Sequence, residues 1–260
     1  MEPICIVITG ASSGLGAGLA RAYAAPGRVL GLIGRNASRL AEVADDCRRG
    51  GAVAQTAALD VADPAAVSAW LLAFDAATPI DLLIANAGIS TGTRPDGGLE
   101  GIDAACEVVR VNLLGVIHCV EPLLPRMLQR GRGQIAVVAS MAAYRGLPDS
   151  PAYCASKAGV LAYGESLRGA LEPRGVRVSV VVPGFFASPM SARFGGAKLF
   201  LLSEAQAVAQ VTRGLRRRSR RIVFPWQLGS LLRIADLLPA WCGDRIMRAF
   251  RFCIAARPEG

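Results

Sequence analysis

The sequence predicts a single α/β domain, with helices on both faces of a mostly parallel sheet of about seven strands. Short apolar runs alternate with helical stretches along the chain. Its 260 residues, 52% of them hydrophobic, suffice for one large core. A glycine-rich turn follows the first apolar run and precedes a helical pattern. These three observations favour the doubly wound, Rossmann-type arrangement.

The strands are predicted from runs that are apolar or rich in β-branched residues. They are residues 4–9, 29–33, 53–59, 80–85, 133–139, 176–182 and 221–224. Because helical stretches separate these runs, the strands should be parallel and a ligand should bind at their carboxyl ends. No linker interrupts the chain. We predict one domain over residues 1–225, with residues 226–260 as its amphipathic helical extension.

The turn after the first strand has the composition of a phosphate-binding loop. Glycines permit positive φ and a close backbone approach, and the N–H groups that open a helix attract phosphate. Turns also collect glycine for steric reasons alone, but the placement between a strand and a helix favours dinucleotide binding. The residues predicted to contact the pyrophosphate are Gly10, Ser12, Ser13, Gly14, Leu15 and Gly16.

A second constellation has the chemistry needed to move a proton at a carbonyl or an alcohol. Tyr153 and Lys157 are four residues apart, so a helix would place phenol and ammonium on one face. The cation should then lower the tyrosine pKa from its usual value of about 10. Ser140 follows a predicted strand and should meet Tyr153 over the carboxyl edge of the sheet. Alone, the tyrosine–lysine spacing is also typical of an ordinary exposed helix face.

Together these motifs resemble the classical short-chain dehydrogenase/reductase family over about residues 3–225. The shared features occur in the family's order. They are the turn from Thr9 to Gly16, Asp60-Val61, Asn86-Ala87-Gly88, Asn112, Ser140, the Tyr153–Lys157 pair, Pro183-Gly184 and Ser188.

The resemblance implies hydride transfer between a nicotinamide cofactor and a carbonyl or alcohol. Tyr153 would be the general acid and base, and Ser140 would hold the substrate oxygen. Lys157 would lower the tyrosine pKa and hold the nicotinamide ribose, while Asn112 would support a water relay. The other shared residues, from Asp60 to Ser188, would contact the cofactor. A homo-oligomer, either a dimer or a tetramer, is expected.

The end of the second predicted strand bears on the choice of cofactor. A carboxylate there would bind the ribose hydroxyl of NAD, whereas a basic group would pair with the 2′-phosphate of NADP. The strand ends in Gly34-Arg35-Asn36. Arg35 can make a bidentate contact with phosphate, so NADP is favoured and NAD remains possible. The plainer interpretation is a solvent-facing arginine.

Other catalytic classes are poorly supported by the sequence. His118 is the only histidine, and its apolar surroundings predict a satisfied, buried side chain. A metal site or a serine-hydrolase triad would need more ligands or a free histidine. The seven cysteines show no C-x-x-C spacing, so they are interpreted as small hydrophobic residues in a reducing, cytoplasmic compartment.

The segment expected to bind substrate, residues 189–202, is apolar. The residues that predict a hydrophobic carbonyl or alcohol substrate are Phe185, Phe186, Met190, Phe194, Leu199 and Phe200. Gly195-Gly196 is expected to be the hinge of a mobile lid. The alternative is that these residues pack on the core and carry no information about substrate.

The end of the chain is strongly basic. From Val211 to Gly260 there are eleven arginines against three acidic residues, a net charge of +8. The run Arg216–Arg221 lacks aromatic residues that could stack on bases, so nucleic acid is disfavoured as a partner. Beyond Trp226, apolar residues alternate with arginines, as in basic amphipathic helices. They could touch an anionic membrane, cover the pocket or pack on another subunit.

Two classes of function therefore remain. The first is an NADP-dependent carbonyl reductase or alcohol dehydrogenase. The second is a catalytically silent cofactor sensor or scaffold that binds partners or membrane through its basic tail. The presence of all four catalytic candidates favours the enzyme.

Overall fold

The computed structural model describes residues 3–239, 241, 242, 244, 245 and 253–255. Seven strands form one parallel sheet. They are β1 (Cys5–Thr9), β2 (Val29–Gly34), β3 (Val53–Ala58), β4 (Leu82–Ala85), β5 (Gly133–Val138), β6 (Val176–Pro183) and β8 (Arg221–Phe224). Their order across the sheet is β3-β2-β1-β4-β5-β6-β8. Two short strands, β7 (Phe194–Gly195) and β9 (Cys253–Ile254), form a separate antiparallel pair.

Each predicted strand is present, and no strand end differs from its prediction by more than two residues. Every residue of β1 and β4 is buried. This explains their unbroken apolar sequence, because a parallel sheet covered on both faces has no solvent side to alternate with. The edge strand β3 keeps polar residues and is exposed at Val53.

Helices cover both faces of the sheet and divide the core into two clusters. They are α1 (Gly14–Tyr23), α2 (Ala37–Arg49), α3 (Pro64–Ala77), α4 (Ile102–Val109), α5 (Gly115–Val120), α6 (Leu124–Arg130), α7 (Pro151–Leu171), α8 (Pro189–Ala192), α9 (Glu204–Arg216) and α10 (Trp226–Asp236). Residues of α1, α2 and α9 pack in one cluster, and residues of α3 to α7 in the other. The doubly wound prediction is confirmed.

One helical run, Ile102–Arg130, is long and apolar enough by composition to cross a membrane, with a mean hydropathy of 1.4. It joins α4, a π-helical turn at Arg110–Leu114, α5 and α6. Half of its most apolar window is buried inside the protein, and it packs against α3 and α7. The apolar residues of this run are therefore explained by packing in the protein core.

The C-terminal extension starts as predicted, with α10, and then departs from the prediction. Leu228 and Ala235 of α10 are buried, and Arg233 lies 5.6 Å above the Tyr144 ring. The described part of the extension also contains a strand, because β9 pairs with β7 in the segment expected to bind substrate. The predicted amphipathic residues Ile246, Met247, Arg248, Phe250 and Arg251 lie outside the described part of the chain.

Candidate active site

The turn after β1 is shaped by close contact with the turn after β4. Gly10 and Gly14 have positive φ, at 66° and 49°. A Cβ added at Gly10 would lie 2.8 Å from the Ala87 Cα, and one added at Gly16 would collide with the Gly10 carbonyl oxygen. Only glycine fits positions 10 and 16. The predicted cofactor residues at positions 10–16 and 86–88 are thus brought together.

Thr9 joins the same two turns, a role that the sequence did not reveal. Its Oγ1 accepts hydrogen bonds from the N–H groups of Asn86 and Ala87, both at 3.0 Å. The Asn86 side chain donates in return to the Thr9 carbonyl at 3.0 Å. Because Thr9 is buried, its hydroxyl satisfies two N–H groups that water cannot reach. The sequence feature that could have indicated this role is a threonine at the end of an otherwise apolar strand.

Ser140 and Tyr153 meet at the carboxyl edge of the sheet, as the sequence predicts. Ser140 lies just beyond β5, and Tyr153 is in the first turn of α7. Their side chains share a hydrogen bond. Burial raises the pKa of Tyr153, and the hydrogen bond with Ser140 lowers it in part. The phenol therefore keeps its proton at neutral pH.

Lys157 lies beneath the tyrosine ring, with its ammonium 5.9 Å from the ring centroid. The ammonium donates to the Val138 carbonyl at 2.9 Å. Burial lowers the pKa of Lys157 to about 8. The prediction that Lys157 lowers the tyrosine pKa is wrong for this arrangement: burial of the phenol dominates, and the bond that opposes it comes from Ser140.

Asn112 lies in the π-helical turn of the long helix and is fully buried. Its Oδ1 accepts from the Ile89 N–H at 2.8 Å. Its Nδ2 donates to the Ile89 carbonyl at 2.9 Å and to the Ser156 hydroxyl at 3.1 Å. The side chain therefore fastens the turn after β4 to α7. π-Helical turns of this kind occur frequently at functional sites.

Gly88 connects this network to the lysine. A Cβ added there would lie 3.2 Å from the Asn112 Oδ1 and 3.4 Å from the Lys157 Nζ. Gly88 thus brings backbone close to both predicted catalytic side chains without filling the space between them.

The end of β2 carries Arg35, whose side chain is 46% exposed. Its Nη1 lies 3.8 Å from Asp60 Oδ2 and 3.9 Å from Glu107 Oε1. Both distances are too long for hydrogen bonds. Ser12 borders the same corner, because a Cβ on Gly34 would lie 3.3 Å from it. Arg35, Asp60 and Ser12 therefore lie close together beside the glycine-rich turn.

Val61, the neighbour of Asp60, is buried and its carbonyl lies 2.9 Å from the His118 Nδ1. His118 therefore has a hydrogen-bond partner, as predicted, but its side chain is half-buried and not fully buried as expected. Among the described residues, no group of three histidine, cysteine or acidic side chains could hold a metal ion.

Cys154, beside Tyr153, has no features of a nucleophile. It is buried, and its Sγ accepts from the Leu147 N–H at 3.3 Å. Burial raises the pKa of its thiol, so the thiolate is scarce at neutral pH.

Pro183 and Gly184 end β6, where the Gly184 N–H donates to the Phe224 carbonyl at 2.8 Å. Ser188 then caps α8, accepting from the Ser191 N–H at 3.1 Å. A Cβ on Gly14 would lie 3.5 Å from the Ser188 Cβ. The predicted cofactor residue Ser188 therefore faces the glycine-rich turn.

Residues 253–255 border the side of the site that is expected to bind substrate. The Ile254 N–H donates to the Thr93 carbonyl at 2.8 Å, and the Ala255 N–H to the Arg193 carbonyl at 3.0 Å. Arg193 donates in turn to the carbonyls of Ala255 at 3.0 Å and Ser90 at 3.2 Å. Strand β9 thus joins the loop after β4 to the loop after β6. The two residues of β9 have no strand pattern in the sequence.

Two observations concern the segment that was predicted to form a lid. Gly195, half of the predicted hinge, pairs with Cys253 in β7 and β9. The apolar residues of this region also divide into two sets. Phe185 and Phe194 pack with ring centroids 4.7 Å apart, whereas Leu199 and Phe200 are 39% and 55% exposed.

Comparison with known proteins fixes the family. The model for short chain dehydrogenases matches residues 4–198. The chain belongs to this family. It is therefore an oxidoreductase that acts on a CH–OH or C=O group.

Two relatives and one solved structure illustrate the likeness. An uncharacterized oxidoreductase of Myxococcus xanthus (strain DK1622) is 35% identical over 250 residues, which are 94% of this chain and 96% of that protein. The 2-dehydro-3-deoxy-L-rhamnonate dehydrogenase (NAD(+)) of Sphingomonas sp. (strain SKA58) is 36% identical over 72% of this chain and 73% of its own. A short-chain dehydrogenase from Sphingobium yanoikuyae in complex with NADPH has a TM-score of 0.78 at 24% identity, covering 95% and 96% of the two chains. This last likeness concerns the fold.

Proposed function

We propose that this short-chain dehydrogenase/reductase uses NADP to reduce an apolar ketone or aldehyde to an alcohol, or catalyses the reverse. The observation that carries the proposal is the contact between Ser140 and Tyr153, with the Lys157 ammonium under the same ring. A half-buried phenol, a hydroxyl and an ammonium at one sheet edge are suited to proton transfer at a carbonyl oxygen.

The region beside the glycine-rich turn has features that support dinucleotide binding. Ser13 is the N-cap of α1 but makes no side-chain hydrogen bond to the helix start, and the first turn has no acidic residue. The opening N–H groups of α1 are thus available for a pyrophosphate. The absence of a Cβ at Gly10 and Gly16 keeps the backbone compact there. Asp60 and Asn86 to Gly88 would border the adenine and ribose portions.

Arg35 supports NADP as the cofactor. Among proteins similar to this chain, one is named for NAD and another was solved with NADPH. Likeness alone therefore does not distinguish between NAD and NADP as the cofactor of this chain. The end of β2 carries no carboxylate, and the Arg35 contacts with Asp60 and Glu107 are looser than hydrogen bonds. A phosphate would accept two direct bonds from this guanidinium.

Exchange of the charge at position 35 tests this preference. In Arg35→Asp, the ratio of kcat/KM with NADPH to that with NADH should fall by at least about tenfold, because a phosphate contact becomes a repulsion. Arg174→Asp, at an exposed arginine far along the chain, makes the same charge change as a control. An unchanged ratio in Arg35→Asp would refute the NADP assignment.

In reduction, Tyr153 would donate its proton to the oxygen of the substrate as that oxygen gains negative charge. Ser140 would hold the same oxygen through its hydroxyl. The nicotinamide, when bound, supplies or accepts the hydride. Lys157 would hold the ribose hydroxyls of the cofactor through its ammonium. The raised pKa of Tyr153 keeps the donor protonated before the reaction.

Asn112 would contribute by holding neighbouring parts of the site in place. Its side chain is committed to Ile89 and Ser156, so it would keep Gly88 and α7 at the spacing that the lysine requires. A water relay near this π-helical turn stays a prediction.

An apolar substrate is supported by the surface beside the reacting edge. Phe185 and Phe194 pack together there, and Leu199 and Phe200 leave apolar area exposed. Such a surface stabilises a hydrophobic ketone better than a charged one. A homo-oligomer and a cytoplasmic location stay predictions.

The proposal is tested by NADPH oxidation across ketones and aldehydes that range from short and polar to long-chain and polycyclic. Tyr153→Phe should lower kcat by about 10² to 10⁴ and leave NADPH binding intact, because it removes only the transferable proton. Full activity in Tyr153→Phe would exclude the mechanism. Tight NADPH binding by the wild type without turnover of any carbonyl would favour the cofactor-sensor alternative.

A further inference from the structure

Helix α10 is apolar on the side that faces solvent as well as on the side that faces the core. Leu228 and Ala235 are buried. The opposite side and the segment after the helix form what we call the outer face. Its residues, with their exposed fractions, are Trp226 (67%), Leu231 (60%), Ile234 (62%), Leu237 (85%), Leu238 (42%) and Trp241 (71%). Exposed apolar patches of this extent usually mark an interaction surface.

The outer face is continuous because its residues recur at helical spacing. Leu231 and Ile234 are three positions apart and lie on one side of α10, and Leu237 and Leu238 follow directly after its end. Arg233, which interrupts them in sequence, points elsewhere and lies over the Tyr144 ring. An ordinary surface helix has a polar side toward water. Among the positions of this helix whose burial is described, the exposed polar residues are Gln227, Ser230 and Arg233.

We propose that the outer face binds an anionic lipid surface, with α10 lying in the plane of the membrane interface. Charge distinguishes this occupant from a second copy of the chain. The segment that contains α10, Val211 to Gly260, carries a net charge of +8 within a chain of +9. Two such segments would repel one another, whereas anionic headgroups would attract this one.

The tryptophans support the same occupant. Trp226 opens α10 and Trp241 lies beyond its end, and both are mostly exposed. Tryptophan favours the boundary between headgroups and acyl chains, where its ring is buried and its N–H remains hydrated. The leucines and Ile234 between them would supply the apolar burial that holds an interfacial helix.

Flotation of the full-length protein with vesicles tests the proposal. Wild type should float with vesicles of phosphatidylcholine and phosphatidylglycerol, float less with phosphatidylcholine alone, and lose binding as salt is raised. The triple variant Leu231→Gln, Ile234→Gln, Leu237→Gln should bind at least about 100-fold more weakly, since three buried apolar side chains are lost. Retained NADPH binding would show that the variant is folded.

A matched control removes equally exposed apolar residues elsewhere. Leu99 and Ile102 are 79% and 78% exposed, and Leu99→Gln, Ile102→Gln should float like wild type. Equal loss in both variants would overturn the assignment to α10. If the triple variant does not fold, tryptophan fluorescence of the wild type decides, because Trp226 and Trp241 should shift to the blue on binding.

Two other outcomes would overturn the proposal. The first is absence of wild-type binding to either vesicle at low salt. The second is an oligomer, measured by light scattering, that the triple variant converts to monomers while vesicles stay unbound. That result would assign the outer face to a second copy of the chain.

A separate observation concerns the start of α7, the helix that carries Tyr153. Its N-cap, Ser150, makes no side-chain bond to the helix, because its hydroxyl donates to the Thr91 carbonyl. Glu100 supplies the cap from another loop, its Oε1 accepting from the Ala152 N–H at 3.1 Å. Its Oε2 accepts from the Thr91 hydroxyl at 2.7 Å.

We infer that Glu100 is a positioning residue for Tyr153, an inference that rests on the proposed function. A carboxylate at a helix N-terminus satisfies an otherwise unpaired N–H and interacts favourably with the helix dipole. Here it also fixes the first turn of α7 relative to the loop after β4. Because Tyr153 follows Ala152 directly, a shift of this turn would displace the phenol from Ser140.

Glu100→Ala should lower kcat about tenfold without changing the Kd of NADPH, because lost alignment affects the proton transfer. Glu100→Gln should recover most of kcat, since an amide oxygen still accepts from Ala152. Asp103→Ala, at an exposed acid in the first turn of α4, is the control. Wild-type kcat in Glu100→Ala, or no recovery in Glu100→Gln, would refute the inference. Tyr153→Phe measured in parallel distinguishes this failure from failure of the proposed function.

Discussion

The cofactor side of the active site is held by neighbouring β-α units, whereas the substrate side is held by the last described residues of the chain. On the first side, Thr9, Gly10 and Asn86 interlock through backbone contacts at the ends of adjacent strands. On the second side, Ile254 and Ala255 join two loops through hydrogen bonds. The first arrangement leaves the backbone little freedom, and the second can be altered without disturbing the sheet.

The cofactor side should be the more sensitive to small chemical changes. In Thr9→Val the N–H groups of Asn86 and Ala87 lose their acceptor, which should cost about 2 to 6 kcal/mol of the free energy of unfolding. Thr9→Ser keeps the oxygen and should cost much less. Urea denaturation of the two variants checks this. Similar midpoints for both would show that the hydroxyl is not what joins the two turns.

Gly16→Ala should affect cofactor binding more than stability. Its new Cβ would collide with the Gly10 carbonyl, so the turn must move and the NADPH Kd should rise at least about 100-fold. Gly169→Ala, in the exposed part of α7 with open space around it, is the matched control and should stabilise the protein slightly. Unchanged NADPH affinity in Gly16→Ala, measured by fluorescence titration, would contradict the proposed phosphate site.

Lys157 lies where the two sides meet, and it adds a pH dependence to folding. Its pKa falls from 10.5 to about 8 on burial, so the unfolded chain binds more protons between these values. Stability should therefore rise with pH across this window, by roughly 2 kcal/mol between about pH 8 and 10. Lys157→Met should lack this rise.

The measurement is the difference in unfolding free energy between wild type and Lys157→Met at several pH values. The buried thiols of Cys5 and Cys119, whose pKa is raised to about 12, act in the opposite direction above pH 9.0. They are present in both proteins and cancel in the difference. A difference that does not change with pH would mean that the lysine is not held in a dry site.

The substrate side should respond to truncation without loss of the cofactor. A chain that ends at residue 252 lacks the bonds from Ile254 and Ala255, and its KM for the carbonyl should rise about tenfold. The NADPH Kd should not change. A chain that ends at residue 255 is the control. If both truncated chains have the wild-type KM, β9 does not shape the substrate site.

The parts of the site that were predicted from sequence depend on local patterns. The glycine-rich turn, the Tyr153–Lys157 pair and the strand ends are all encoded within a few residues, so their placement followed once the sheet was assigned. The meeting of Ser140 and Tyr153 needed only the rule that parallel strands end at one edge.

The parts that were missed depend on distant segments. Strand β9 has two residues and no strand pattern of its own, and its partner β7 lies far earlier along the chain, with Phe194 paired to Ile254 and Gly195 to Cys253. The prediction that Lys157 lowers the Tyr153 pKa was wrong for a similar reason. Spacing along a helix places Lys157 near the phenol but does not reveal how deeply the phenol is buried or that Val138 takes the ammonium hydrogen bond.

Strand β9 also has a consequence for biosynthesis. Residues 253–255 are synthesised after every strand of the seven-stranded sheet, so the sheet can form on the nascent chain before these loops are joined. A tag inserted directly after residue 255 would therefore lie beside the active site, whereas one placed before residue 3 would lie at the amino end of β1, on the opposite edge of the sheet.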